Sequence, residues 1–390
     1  MGALTLTNLI PSIQKAMDVV SREQVGFIPA VSRDSTAERA AVGQVVYSPV
    51  VGAMAAEDLA AAAYAADTPA QTINNVSIQI TKSRSVPFGI TGEESLGLSN
   101  AGTLGSINQQ RIEQAIRTLT NEIETDLAAL HIYASRAYGT ATGTPFNTAG
   151  DFSDFANPLR ILDENGAPPS DRQMVLGSAS IARIRGKQSG LFEVNRAGND
   201  EMLRRGILSQ VEGFDLHQSQ AVKTLVTAGT ASGATTTAAG FAIGTTNIPT
   251  AAAGTGAIIA GDIITFAGDT NQYLVVTGAA NVAGALTTLT IAEPGLRQAI
   301  PAAATAITVI AATTRNMFFH RSAIQLATRA PAMPEGGDDA DDSMLVTDPV
   351  SGLTYELIVY RQKRQVRYEL NMAWGVKMIA PRHCGLLIGA

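Results

Sequence analysis

Between Lys223 and Arg315 the chain carries only four charged residues: Asp262, Asp269, Glu293 and Arg297. Thr, Ala and Gly dominate this stretch, whereas charge on either side is ordinary and helical patterns are clear. The block is too rich in Gly and Thr to be a membrane span. Its apolar residues fall in short runs separated by turn formers. Ile263-Ile264-Thr265-Phe266 and Tyr273-Leu274-Val275-Val276 flank Ala267-Gly268-Asp269-Thr270-Asn271-Gln272, a hairpin signal. Leu286 to Ile291 and Ala306 to Ile310 add two more strands, a spacing that suggests a small barrel or sandwich. An uncharged β module inside a normal chain splits its host domain into two sequence segments, and few architectures do that.

The flanks supply the host. At 390 residues, 45% hydrophobic and 16% charged, with net charge -6, the chain can bury a large core in two or three units. Mild acidity argues against a free nucleic-acid binder. The lysines are few (Lys15, Lys82, Lys187, Lys223, Lys363 and Lys377) and arginine dominates. That bias suits protein interfaces and equally fits a GC-rich genome. The N-terminus lacks the basic and apolar regions of a signal peptide, and Leu6 stands where a myristoylation signal needs Ser or Thr.

The strongest helical pattern runs from about Ser106 to Tyr138. Ile112, Ile116, Leu119, Ile123, Leu127, Leu130 and Ala134 step by four or three. Ser106 with Gln109 reads as a capping box, Glu113 and Arg117 as a favourable pair, and Gly139 as the stop. Such a helix would be roughly 45–50 Å long, a spine that needs a sheet beside it. A shorter amphipathic helix is expected at 9–25, and Pro29 is expected to stop regular structure. Residues 30–70 show no convincing core pattern. Residues 45–90 read as an extended excursion ending in a strand on which Val76, Ile78, Ile80, Lys82 and Arg84 share a register, closed by Pro87. Residues 151–222 read as α/β: strands at Met174-Val175-Leu176 and 213–217, helices at 178–187 and 201–210. After Arg315, long strands surround the turn Asp348-Pro349-Val350-Ser351-Gly352. The second arm runs from Tyr355 to Val376 and carries the only tryptophan, Trp374.

The usual chemistry is missing. Gly186-Lys187 is followed by Gln188, so there is no phosphate loop. No dinucleotide fingerprint, Gly-x-Ser-x-Gly elbow or His-Glu-x-x-His occurs. His131, His217, His320 and His383 are far apart in sequence and lack ligand spacing. Asp338, Asp339, Asp341 and Asp342 fail the calcium-loop pattern, with Ser343 and Pro349 at its glycine and glutamate positions. They read as a solvated loop or a patch for a basic partner. Arg183, Arg185, Lys187 and Arg204-Arg205 read as a surface helix face or as subunit salt bridges. Cys384 lies in an apolar run and reads as a buried structural thiol. Asn75-Val76-Ser77 matches a glycosylation sequon with nothing to indicate secretion. No catalytic, cofactor-binding or metal site is assigned, and the chain is expected not to be an enzyme.

The ordered segments resemble the major capsid (coat) proteins of tailed bacteriophages, most closely the coat proteins of short-tailed enterobacterial phages with an inserted β domain. The residues that carry this are Thr7-Asn8-Leu9-Ile10-Pro11, Val25-Gly26-Phe27-Ile28-Pro29, Val86-Pro87 with Gly92-Glu93-Glu94, Thr118-Leu119-Thr120-Asn121, Asp126-Leu127-Ala128-Ala129-Leu130 and Ala134-Ser135-Arg136-Ala137-Tyr138-Gly139. Later ones are Ala260-Gly261-Asp262 with Thr265-Phe266-Ala267-Gly268, Asp348-Pro349, and Ala373-Trp374-Gly375-Val376. Together they cover essentially the whole chain in order.

The resemblance implies an α+β capsid fold. Its parts would be an N-terminal arm at 1–44, an extended loop at 45–90, a peripheral domain with the spine at 91–150, and an axial domain beginning at 151–222. An inserted β-barrel would follow at 223–315, and 316–390 would return to the axial and peripheral domains with a long β-hairpin. It also implies hexamers and pentamers of this chain in an icosahedral shell, a separate scaffolding protein, a portal at one vertex, packaged double-stranded DNA held non-specifically inside, and room for a decoration protein. The place is the virion, assembled in the host cytoplasm, with no membrane involved. Some relatives crosslink Lys to Asn; Lys82 and Lys187 have no matched glutamate here, so that chemistry is not carried over. The alternative from another class is a secreted or surface-layer adhesin, which would need a signal peptide.

Overall fold

The computed structural model describes residues 25–51, 73–100, 104–187, 210–279, 288–348 and 352–390. The helices expected at 9–25 and 201–210, and Arg204-Arg205, lie essentially outside these residues.

The described chain opens with a one-turn helix α1 (Phe27–Ala30) that contains Pro29. Regular structure does not stop there, because β1 (Ser32–Ala40) follows at once. The apolar pattern misses β1 because charge holds it. It runs parallel to a later strand, with Arg39 paired to Glu356 at 2.5 Å and Asp34 to Arg329 at 3.1 Å. Strands β2 (Val45–Val51) and β3 (Ile73–Gln79) then form a separate two-stranded antiparallel sheet. The backbone continues into β4 (Lys82–Thr91). Pro87 does not close this strand; it sits within it, paired with Glu369. An edge strand tolerates a residue without N–H.

Helix α2 (Gly92–Asn100) begins with a reciprocal capping box. The Glu94 N–H donates to Thr91 Oγ1 and the Thr91 N–H to Glu94 Oε2, at 3.3 and 3.2 Å. The spine is α3 (Leu104–Ala129), 26 residues and about 39 Å long. It starts before Ser106 and ends nine residues before Tyr138. Ile112, Ile116, Leu119, Ile123 and Leu127 are buried as their spacing predicts. Gln109 donates to Glu113 at 2.7 Å and Arg117 to Gln114 at 2.9 Å. Leu130 and Ala134 continue the apolar period and are buried, but beyond the end of the α-helix. Leu130–Tyr133 tightens into a 3-10 turn, and strand β5 (Arg136–Gly139) follows. Its parallel pairing with the C-terminal strand wins over helix propagation. Gly139 has φ 120° and ends that strand under the Ile388 backbone.

Helix α4 (Ser153–Glu164), β6 (Arg172–Leu176) and α5 (Ser178–Lys187) follow, then β7 (Gln210–Val211) and β8 (Phe214–Gln218). The 223–315 block contributes β9 (Asn247–Pro249), β10 (Ile263–Phe266), β11 (Gln272–Thr277), β12 (Thr288–Ile291) and β13 (Ile307–Val309). Last come β14 (Thr314–His320), β15 (Ile324–Pro331), β16 (Asp342–Thr347), β17 (Thr354–Gln362), β18 (Gln365–Met378) and β19 (Cys384–Gly389). The arm expected from Tyr355 to Val376 is therefore two strands. Lys363 and Arg364 turn it back, with Arg364 at φ 60°.

The architecture is α+β, with the long spine, the extended two-stranded loop and the hairpin-rich C-terminal segment that a capsid fold implies. One sheet orders β1-β15-β18-β17-β16, with β4 also on β18. The larger sheet orders β13-β10-β11-β5-β19-β14-β6-β8-β7, with β12 joining β11 to β9. The spine packs its apolar stripe into the core where these sheets meet, against Met317, Phe319, Leu357, Leu370 and Trp374. The 223–315 block has its own core, built on Ile248, Phe266, Tyr273, Leu289 and Leu296. Its neighbours Ile263 and Leu274 face the other way, into the spine's core. Strand β11 also pairs with β5, so the block is joined to the larger sheet by hydrogen bonds. After β8 the chain runs through the block's strands and comes back beside β6 as β14.

Candidate assembly surfaces

His131, His217 and His320 each have a local hydrogen-bond partner. His217 Nε2 meets Gln173 Oε1 at 2.8 Å, and His131 Nδ1 meets the Ala128 carbonyl at 3.0 Å. Desolvation by burial lowers the pKa of both. His320 and His383, 63 positions apart in sequence, are close in space, with ring centroids 6.4 Å apart. No group of three or more His, Cys, Asp or Glu side chains is placed to hold a metal among the described residues. Cys384 is fully buried, and burial pushes its thiol far above the ordinary value. The acidic loop is clipped to its own chain: Tyr360 Oη donates to Asp338 at 2.5 Å, and Arg361 pairs with Asp341 at 2.7 Å. Arg183, Arg185 and Lys187 are exposed on α5. No helix among the described residues is long and apolar enough to cross a membrane.

The informative geometry lies where the extended loop meets the body. Ile78 and Ile80 plug into Ala40, Ala327 and Ala373. The Thr81 N–H donates to the Trp374 carbonyl at 3.0 Å, and Lys377 Nζ to the Ser77 carbonyl at 2.7 Å. Beside this junction Lys82 Nζ reaches Asp126 at 2.8 Å and Glu122 at 3.2 Å. Trp374 Nε1 donates to the other Asp126 oxygen at 2.9 Å. Burial pulls the Lys82 pKa down, but the bonds to Asp126 and Glu122 outweigh it and hold the ammonium charged. Beside this root, Val42 and Tyr47 are 58% and 67% exposed. Seven residue pairs join β2 to β3, and neither strand pairs with another strand among the described residues.

A second junction fixes the N-terminal end of the described chain. Glu124 lies on the spine, 3% exposed, and its carboxylate accepts from three successive backbone N–H groups. Those are Gly26 at 3.3 Å, Phe27 at 3.1 Å and Ile28 at 2.7 Å; Ser219 Oγ adds a fourth bond at 2.7 Å. Burial raises this carboxyl above its ordinary pKa, and the four donors oppose that rise. The spine thus supplies the acceptor for the first turn of α1. A cleft of about 510 Å³ lined by Val25, Arg117, Asn121 and Gln220 opens beside it.

Neither junction is legible in the sequence alone. The one signal for Glu124 was a carboxylate four residues from Thr120 and from Ala128, on the buried side of a helix. Asp126, Lys82 and Trp374 are separated by up to 292 positions, and no local pattern joins them.

No protein-family model matches this chain. No curated protein matches it either. Solved structures resemble it over most of its length. A chain from Mycobacterium phage Che8 is 12% identical, with 88% of this chain and 84% of that chain covered and a TM-score of 0.45. A chain from the capsid of cyanophage P-SCSP1u is also 12% identical, with 93% and 86% covered and a TM-score of 0.45. A chain from a virus-like particle of Pyrococcus furiosus is 7% identical, with 97% and 98% covered and a TM-score of 0.43.

Proposed function

We propose that this chain is the major capsid protein of a tailed double-stranded DNA bacteriophage. Its work is interface geometry rather than chemistry. The observation that carries this is the β2–β3 hairpin. Two strands alone are at best marginally stable in water, and among the described residues this pair is anchored at its root while Tyr47 faces solvent. A second copy of the chain lying beneath the hairpin would supply the missing cover, and free strand edges would supply backbone bonds. In this reading 1–44 is an arm, 45–90 the loop that lies over a neighbour, and 91–150 the peripheral domain. Residues 151–222 and 316–390 form the axial and returning segments, and 223–315 is an outward-facing insertion. The chain assembles as hexamers and pentamers in an icosahedral shell in the host cytoplasm. A separate scaffolding protein guides it, a portal takes one vertex, and DNA fills the inside without base-specific contacts.

The test is co-expression of the full chain with its scaffolding protein, followed by size-exclusion chromatography and electron microscopy. Shells or capsomers are expected; a chain that stays monomeric under every condition refutes the proposal. Tyr47→Asp should leave the monomer folded and stop shell formation. Normal shells from that variant would show that the hairpin is not an interface.

A further inference from the structure

Arg315 is 1% exposed, and its Nε, Nη1 and Nη2 have no hydrogen-bond partner among the described residues. A guanidinium carries five N–H donors and no acceptor. Buried polar groups almost always find protein, water or an ion, and leaving a charged one unmet is costly. Strand alternation places Arg315 on the same face of β14 as Met317 and Phe319, which both enter the core against the spine. The guanidinium therefore points inward. Thr313, two residues earlier, is 0% exposed and brings a second unmet group, its hydroxyl.

The neighbours do not satisfy these donors. Asp262 acts on Arg315 electrostatically. Its oxygens, however, accept from the Gly229 N–H at 2.9 Å and the Ile259 N–H at 2.8 Å. His131 must carry its proton on Nδ1, which faces the Ala128 carbonyl. Its Nε2 is left a bare acceptor, also buried and unmet. Arg315 and Lys223 both act on His131, while the charge that acts on Arg315 itself is that of buried Asp262. Burial lowers the Arg315 pKa to about 10, so the guanidinium is charged at neutral pH.

We propose that Arg315 and Thr313 hold one small monovalent anion of the halide type at the base of the 223–315 block. A water links the anion to His131 Nε2. The anion accepts from the guanidinium and the hydroxyl, the donors that Asp262 leaves unmet. The site sits where the block joins the body: the Arg315 N–H donates to the Lys223 carbonyl at 2.8 Å, and the Val226 N–H to the Thr313 carbonyl at 3.0 Å. The occupant ties these crossing segments to the end of the spine.

The test follows the melting temperature of the full chain in sodium bromide and in sodium gluconate at equal ionic strength, since gluconate is too large to enter. With bromide a hundredfold above its Kd, the folded-to-unfolded ratio should rise about a hundredfold. Arg315→Met, which removes the buried charge, should fold and show no such rise, and Thr313→Val should need more bromide for the same effect. Anomalous scattering from bromide-soaked crystals of the unmutated chain should place bromine within hydrogen-bonding distance of the guanidinium. Equal bromide responses in the unmutated chain and Arg315→Met overturn the proposal. So does bromine found only on the surface (an adventitious ion only), water alone at the guanidinium, or a carboxylate of this chain seated there.

Discussion

Gly375 on β18 offers the sharpest test of how the extended loop is anchored. A Cβ added there would stand 2.9 Å from the Gln79 carbonyl carbon and 3.1 Å from Ile80 Cα, and closer still to the Gln79 oxygen. Carbon atoms pack at about 3.5–4.0 Å, so the backbone must retreat by at least about half an ångström. That backbone is the exit of β3, pinned by the adjacent Thr81-to-Trp374 hydrogen bond. Overpacking of this kind costs about 1–3 kcal/mol, and loss of the pinning bond adds about 1 kcal/mol. Gly375→Ala should therefore destabilise by about 2–4 kcal/mol. The control is Gly186→Ala on α5, where an added Cβ meets no atom within 4 Å. There the same methyl should stabilise by up to about 1 kcal/mol, because glycine is a poor helix former. Urea unfolding of the unassembled chains measures both, with limited proteolysis between β2 and β3 as a local readout. Superimposable unfolding curves for Gly375→Ala and the unmutated chain would refute the reasoning.

Four other changes probe the two junctions and the core. Glu124→Ala strips the acceptor from three backbone N–H groups and should cost about 3 kcal/mol or more in urea unfolding, with Glu124→Gln recovering part of the loss. Asp126→Ala removes the shared partner of Lys82 and Trp374; it should cost about 1–2 kcal/mol and shift the emission of the only tryptophan. His131 has its pKa depressed from 6.5 to about 4 by burial, with Arg315 and Lys223 adding to it. The unfolded chain therefore takes up the proton first. The contribution of neutral His131 is complete above pH 6.5 and is lost as pH falls toward 4, by about 3 kcal/mol. The stability gap between the unmutated chain and His131→Gln should follow that curve at low chloride; a flat gap would show that His131 is not the titrating group.

The apolar stripe of α3 was legible because helical period and burial coincide from Ile112 to Leu127. The strands flanking Asp269 were legible for a similar reason. Asp269 accepts from the Asn271 N–H at 2.9 Å and from the Tyr273 hydroxyl at 2.6 Å, so the hairpin is specified by its own turn. The helix read at 178–187 begins at Ser178 and is helical through Lys187, the last described residue of the segment. What failed was decided at a distance. The end of the spine was misread because Leu130 and Ala134 keep the period while Ser135 bonds to the Cys384 carbonyl, 249 positions away. Strand β1 was missed because ion pairs and parallel pairing hold it, and neither leaves a hydrophobic period.

The same division holds for function. Local pattern determined that the chain carries a long amphipathic helix, an uncharged β-rich block between Lys223 and Arg315, and no familiar catalytic motif. These depend on neighbours within a few residues, where spacing and turn chemistry act. Only the tertiary structure decided that Glu124 anchors the N-terminal segment, that Lys82, Asp126 and Trp374 meet at the root of the extended loop, and that Arg315 is buried without a partner among the described residues. Each of these joins groups 44 or more positions apart, or records a partner's absence. Their energies come from desolvation and hydrogen bonding in the folded interior, which no periodicity in the chain encodes.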